Sequence, residues 1–344
     1  MTAQHVKGPG DAAALHVQDL VVDYPLGRRR TRRAVDGVSL TVPAGSTLGV
    51  VGESGSGKST IAKAVLGMAP VTSGSITYGD RGLLGLPSGR RPQEIQVVFQ
   101  DPYSSLNPTK TIGYTLEEPL RAQEHRTGVA LGRAGRQARV HEMLERVGLP
   151  ASTAGRYPSQ FSGGQRQRIS IARALMLDPE LVICDEAVSA LDLSIQAQIL
   201  NLLLELQHDL GVSLLFISHD LGVVDHIAQQ VLVLYRGRVM ETGDSAAIHA
   251  RPAHPYTRAL VMSAPVQDPG RQRERRERRR AETPVAGMRA PLGDSCPFAH
   301  RCALATELCS RERPQLRTLA DGRAVACHHA ELEPAETLLT KETR

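Results

Sequence analysis

Apolar and polar positions alternate along residues 15–24 (LHVQDLVVDY) and again along 34–42 (AVDGVSLTV), the two-residue period of half-buried strands. The basic stretch GRRRTRR (27–33) between them predicts an exposed hairpin loop. Residues 46–52 (STLGVVG) form an apolar strand that runs into a glycine-rich turn, and 59–68 (STIAKAVLGM) combine helical spacing with good helix formers. Strand, glycine loop and helix in that order predict a nucleotide-binding α/β unit. Residues 101–160 differ in texture, helical and charged but broken by SSLNPTK and by Gly148, Pro150, Gly155 and Pro158. From 162 onward the pattern predicts a helix over 163–177, a strand over 181–184, a helix over 194–209 and strands over 212–217 and 230–234. Such alternation predicts a parallel or mixed sheet covered by helices. After about residue 265 the periodicity fades.

Composition narrows the class. A chain of 344 residues with 41% hydrophobic content is long enough for a large core and an accessory region. Its apolar runs, such as LVIC and VLVLY, have strand length, well short of the roughly 18 residues a membrane helix needs. The N-terminus has no apolar leader pattern, so a cytosolic setting with reduced thiols is expected. Four of the five cysteines lie in the last fifty residues, in CPFAHRCALATELC and at Cys327, and reduced clustered thiols point to a metal before a disulfide. The formal charge of +5 comes largely from GRRRTRR and RQRERRERRR (271–280), runs expected in solvated loops or against an acidic partner or anionic lipid. Nucleic acid is not expected as a partner: aromatics are 3% and tryptophan is absent, leaving little surface for base stacking.

The stretch GESGSGKS (52–59) matches the phosphate-loop pattern G-x-x-x-x-G-K-[ST], and its flanking strand and helix supply the context that pattern requires. Gly52, Glu53, Ser54, Gly55, Ser56 and Gly57 can wrap their N–H groups around phosphate oxygens, with Thr60 in the following helix turn. Lys58 adds a point charge for the terminal phosphates, Ser59 a hydroxyl for Mg²⁺, and the helix start its partial positive charge. Farther on, LVICDEA (181–187) is an apolar strand ending in two carboxylates. Asp185 suits Mg²⁺, directly or through water, and Glu186 suits a base that orients and deprotonates an attacking water. Cys184, on the same apolar strand, is expected to be core filling.

The segment FSGGQRQRISIARAL (161–175) resembles the signature sequence of ATP-binding cassette (ABC) ATPases, with Phe161 in place of the usual leading leucine. The resemblance implies a head-to-tail dimer in which Ser162, Gly163, Gly164 and Gln165 cap the γ-phosphate of the ATP bound by the partner. Other elements of the family follow in order. Gln100 in VVFQDP is similar to the glutamine that contacts Mg²⁺ and the attacking water, and Asp192 in SALD to the aspartate facing the dimer partner. His219 in FISHD is similar to the histidine that contacts the γ-phosphate, and Tyr24 to the aromatic that stacks on adenine.

The implied fold is α/β, a P-loop NTPase cassette with a RecA-like core, an antiparallel β edge and a helical subdomain (about 101–174), over residues 13–265. Residues 266–344 are then an arginine-rich linker and a small Cys-rich C-terminal region. VVFQDPYSSLNP, DEAVSALDLSIQAQILNLL and HPYTRAL resemble the oligopeptide/dipeptide importer ATPases, closer to the second of their two paired subunits. That resemblance implies ATP and Mg²⁺ as cofactors and a place on the cytoplasmic face of the membrane. It also implies transmembrane permease subunits and a second ABC ATPase subunit as partners, with an extracytoplasmic solute-binding protein acting indirectly. Relatives with similar cassettes move peptides, nickel, glutathione or sugars. Some carry an iron–sulfur cluster in a similar tail, so Cys296, Cys302, Cys309 and Cys327 are candidate ligands for a [4Fe–4S] cluster or Zn²⁺, the alternative being a reduced, metal-free tail.

Overall fold

The computed structural model describes residues 13–27, 30–86, 92–101, 105–263 and 294–330; the arginine run 271–280 lies outside them. The chain forms β1 (Ala13–Pro25), β2 (Thr31–Pro43), β3 (Thr47–Val51), α1 (Lys58–Val65), β4 (Val71–Tyr78), β5 (Arg81–Gly82) and β6 (Ile95–Val98). There follow α2 (Ile112–Thr127), α3 (Gly132–Arg146), α4 (Gly163–Leu175), β7 (Leu181–Asp185), α5 (Leu193–Leu210), β8 (Ser213–Ser218) and α6 (Leu221–Ile227). The remainder is β9 (Gln230–Tyr235), β10 (Arg238–Asp244), α7 (Ser245–Ala250), α8 (Pro255–Ser263), α9 (Glu307–Arg311), β11 (Arg317–Thr318) and β12 (Ala324–Val325).

Two compact units emerge. Among the described residues, the first comprises 13–16, Thr41–Thr47 and 76–217. In it β6, β7 and β8 run parallel, with Val98 opposite Cys184 and Asp185 opposite Ile217. β7 and β8 are buried almost throughout, as expected of parallel strands covered on both faces. Helices α2, α3, α4 and α5 pack in this unit through Leu116, Leu120, Met143, Leu144, Ile169 and Leu203. α2 and α5 start at the side-chain caps Thr111 and Asp192 and stop at left-handed glycines, Gly128 and Gly211.

Among the described residues, the second unit comprises 17–40, 48–75, 218–263 and 294–330. Here β3 lies parallel to β9, and β10 returns antiparallel beside β9 with a bulge between Val239 and Glu241. β12 from the C-terminal tail pairs antiparallel with β10, Glu241 opposite Val325, so tail and sheet are continuous. Glu241 is fully buried at this seam. Its carboxylate accepts from the N–H groups of Ala253 and His254 at 2.9 Å and from Arg323 at 3.3 Å. Burial pushes the carboxyl pKa up, and these donors pull it back.

The pattern analysis anticipates β1, β2, β3, α1, α4, β7, α5, β8 and β9 but not β4, β6 or β10. β4 is mostly exposed and carries Gly74, β6 has four residues, and β10 places a charged Glu241 where an apolar residue would mark a strand. α1 ends three residues earlier than its spacing predicts because Gly67 takes a left-handed φ of 73°. The strand that leads into the phosphate loop is itself fixed by a close contact. A Cβ built on Gly49 in β3 would lie 2.1 Å from Val224 Cγ1 and 3.1 Å from Ala228 Cβ, so α6 rests directly on the bare backbone. The Gly49→Val variant is therefore expected to lose about 1–3 kcal/mol of stability in denaturant titration. An unchanged midpoint would show that α6 is not seated on this strand.

Candidate nucleotide site

The loop at residues 52–57 is shaped by backbone proximity. A Cβ on Gly52 would meet the Leu234 carbonyl oxygen at 2.1 Å, and one on Gly57 the Ala34 carbonyl oxygen at 2.5 Å. Gly57 also holds φ at 109°, a region that disfavours every residue with a side chain. α1 starts there with no side chain capping its first turn. Lys58 is 4% exposed, and its ammonium donates to the carbonyl oxygens of Gly52 at 2.7 Å and Glu53 at 3.1 Å. The Ser56 hydroxyl is buried in the loop without a hydrogen-bond partner among the described residues. A buried cation, an unpartnered hydroxyl and an uncapped helix start fit a bound polyphosphate. Ser54 and Gly55 are exposed, and Ser59 and Thr60 half-buried. His219 follows β8, exposed, and Tyr24 ends β1, half-buried; both belong to the unit that holds the loop.

The first unit brings a second set together. The Gln100 amide donates to the Glu186 carboxylate at 2.9 Å and to the Ser189 hydroxyl at 3.5 Å, and Ser189 donates to the Glu186 carbonyl at 3.0 Å. Glu186 sits just past β7 with φ at 50°, a left-handed geometry costing on the order of 1–3 kcal/mol and typical of functional positions. Asp185, half-buried, is the last residue of the strand. Asp185 and Gln100 offer oxygen donors of the kind Mg²⁺ takes. Cys184 is fully buried, its thiol pushed up to about 12 by desolvation, and fills the core as expected.

At the signature segment the start of α4 is closed by its own side chains. Ser162 caps α4 by accepting from the Gln165 N–H at 3.3 Å, while the Gln165 side chain accepts from the Ser162 N–H at 3.0 Å. This reciprocal capping box occupies two donors of the helix start. Gly164 is needed for packing, since a Cβ there would meet Ile195 at 2.5 Å. Phe161 is buried with the Arg156 guanidinium 4.6 Å above its ring, an apolar anchor as leucine would be. Asp192 caps α5; the Ile195 N–H, then the Ser194 hydroxyl, hold its carboxyl below the usual range.

Cys296, Cys302, Cys309 and Cys327 are all buried in the tail, and the Cys296 N–H donates to the Cys309 carbonyl at 2.8 Å. Burial pushes Cys296 up to about 12 and Cys302 to about 11, and the neighbouring thiols add to the shift. Four thiols are a soft donor set, yet among the described residues no group of three or more His, Cys, Asp or Glu is arranged to hold a metal ion. Sequence reasoning missed two residues at the loop, Tyr256 and Arg301, which touch Glu53. Both stand in segments it singled out, HPYTRAL and CPFAHRC, but nothing local names their partner.

The ABC transporter family model matches residues 35–189, and the oligopeptide/dipeptide transporter C-terminal region matches 240–309. A Sinorhizobium fredii protein named "Probable peptide ABC transporter ATP-binding protein y4tS" is 47% identical over 92% of this chain and 90% of its own. The oligopeptide transport ATP-binding protein OppF of Salmonella typhimurium is 46% identical over 88% of this chain and 92% of its own. Among solved structures, the ATP-binding cassette MJ0796, a dimer in a post-hydrolysis state with ADP and Pi, superposes with a TM-score of 0.60 at 27% identity. The match covers 67% of this chain and 98% of the cassette. No helix among the described residues is long and apolar enough to cross a membrane. The chain belongs to the ATP-binding subunits of the ABC transporter family and is an ATPase.

Proposed function

We propose that this ATPase powers uptake of di- and oligopeptides through separate transmembrane permease subunits. The chain works as one half of a head-to-tail pair with a second ABC ATPase subunit, on the cytoplasmic face of the membrane, and a solute-binding protein delivers the cargo outside. The observation that carries the catalytic part is the contact between Gln100 and Glu186, 86 residues apart in sequence, which aims an amide and a carboxylate at one point past β7. Glu186 acts as the base toward water, and Gln100 orients both water and Mg²⁺. Lys58 and the loop 52–59 hold the β- and γ-phosphates, with Ser59 and Asp185 toward the metal. Tyr24 stacks on adenine, and His219 contacts the γ-phosphate. From the partner's side, Ser162, Gly163, Gly164 and Gln165 close over that phosphate, with Asp192 at the dimer face. Mg²⁺, when bound, neutralises charge that develops on the phosphates. The peptide cargo is supported by the names of the relatives and by the C-terminal region they share.

Replacing Glu186 by Gln is expected to lower ATP turnover by about 100-fold or more while an ATP-bound dimer accumulates. Unchanged turnover would remove Glu186 from the role of base. Wild-type turnover that rises with permease in lipid vesicles supports transport; stimulation by nucleic acid and none by permease would overturn it.

The tail supports a separate structural reading, a [4Fe–4S] cluster or Zn²⁺ on Cys296, Cys302, Cys309 and Cys327. Its support is donor chemistry, four buried thiols that a cation would help to ionise. Iron, sulfide and zinc analysis after anaerobic purification checks it: about one cluster or one Zn²⁺ per chain is expected, and a metal-free chain would eliminate it.

A further inference from the structure

Glu53, the second residue of the phosphate loop, is gripped at three points. Its N–H donates to the Tyr256 hydroxyl at 2.8 Å, its carbonyl accepts from Lys58 at 3.1 Å, and its carboxylate accepts two parallel bonds from Arg301, each 2.8 Å. Arg301 belongs to the tail, between Cys296 and Cys309, and Tyr256 to α8. Arg301 is in turn seated on aromatic rings, 5.9 Å from the Tyr235 centroid and 5.4 Å from that of Phe298. Tyr235, Tyr256 and Phe298 pack on one another with centroids 4.6–5.5 Å apart. In a chain with four phenylalanines, seven tyrosines and no tryptophan, three rings converging under one loop residue make a built support.

The pair is no stability device. Arg301 and Glu53 are 43% and 42% exposed, and ion pairs in contact with water contribute little to stability. Its two-pronged geometry fixes direction. The carbonyl that receives Lys58 belongs to the residue whose carboxylate Arg301 holds, so a shift of Arg301 moves the surroundings of the phosphate-contacting ammonium.

We propose that Arg301 and Tyr256 are positioning residues for the phosphate loop, and that through Glu53 the C-terminal tail is coupled to nucleotide binding. This rests on residues 52–59 being the phosphate loop. Coupling is reciprocal: what the tail does for ATP affinity, ATP does for the order of the tail.

The test is a titration of the full chain with ATP and Mg²⁺, followed by steady-state turnover. Arg301→Ala and Glu53→Gln are each expected to weaken ATP binding by about tenfold, within the usual range of coupling between sites. In Arg301→Ala KM rises while turnover at saturating ATP is largely kept. The double variant is expected to be no weaker than either single one, because the two changes remove the same interaction. Arg301→Lys is expected to recover part of the loss, keeping the charge without the fork. Reciprocally, ATP slows backbone amide exchange across residues 296–302 in the wild type, and the slowing is lost in Arg301→Ala. Binding by Arg301→Ala within about twofold of wild type, or losses that add in the double variant, would overturn the inference. Should Arg301→Ala fail to fold, Glu53→Gln alters the pair from its other side and carries the same expectation. Lys58→Ala separates the two levels. If it binds ATP as the wild type does, the loop assignment fails; if it loses ATP while Arg301→Ala does not, only the coupling fails.

Discussion

How closely the backbone passes at Gly52 and Gly57 governs what the second unit can do. At Gly52 the loop leans on the end of β9, and at Gly57 it leans on β2, in both places at distances that leave no room for a β-carbon. Only with the loop seated this deeply does Lys58 reach back to the Gly52 and Glu53 carbonyls. The dependence then spreads outward. β9 is held by β10, and β10 by β12, a strand contributed by the tail. The tail therefore forms part of the scaffold on which the phosphate loop stands.

Two helix starts in this chain show how the same physical need is met in different ways. Every helix opens with N–H groups that lack intrahelical partners. α1 has no side-chain cap, as suits a helix start that faces phosphate. α4, at the signature, is closed by its own Ser162 and Gln165. Two donors of its first turn are therefore engaged within the chain itself. Asp192 likewise uses its carboxylate to cap α5, so its orientation is set by the helix it begins.

Much of the site was legible because its chemistry is local. A phosphate loop needs glycines at fixed offsets before a lysine, and a buried strand ending in Asp185 and Glu186 announces itself by its apolar run. What stayed hidden was either short, exposed or paired over long distances. β4 and β6 offer too little buried periodicity to read, and Glu241 disguises β10 as a loop. Arg301 looks like any arginine of a basic tail; its partner lies 248 residues away, and only the pairing of β12 with β10 and the three rings beneath it bring the two together. The capping box at the signature was visible as a serine and a glutamine three residues apart, a spacing that serves the helix start as readily as a ligand.

The central claim is that one chain carries two phosphate cradles that serve two different ATP molecules. Hydrogen–deuterium exchange of the wild-type chain, with an ATP analogue that resists hydrolysis and over a range of protein concentrations, tests it most directly. The account predicts protection of residues 52–59 wherever nucleotide is bound, and protection of 162–165 only where dimers form. Protection of 162–165 in the nucleotide-bound monomer, or none in the nucleotide-bound dimer, would contradict it.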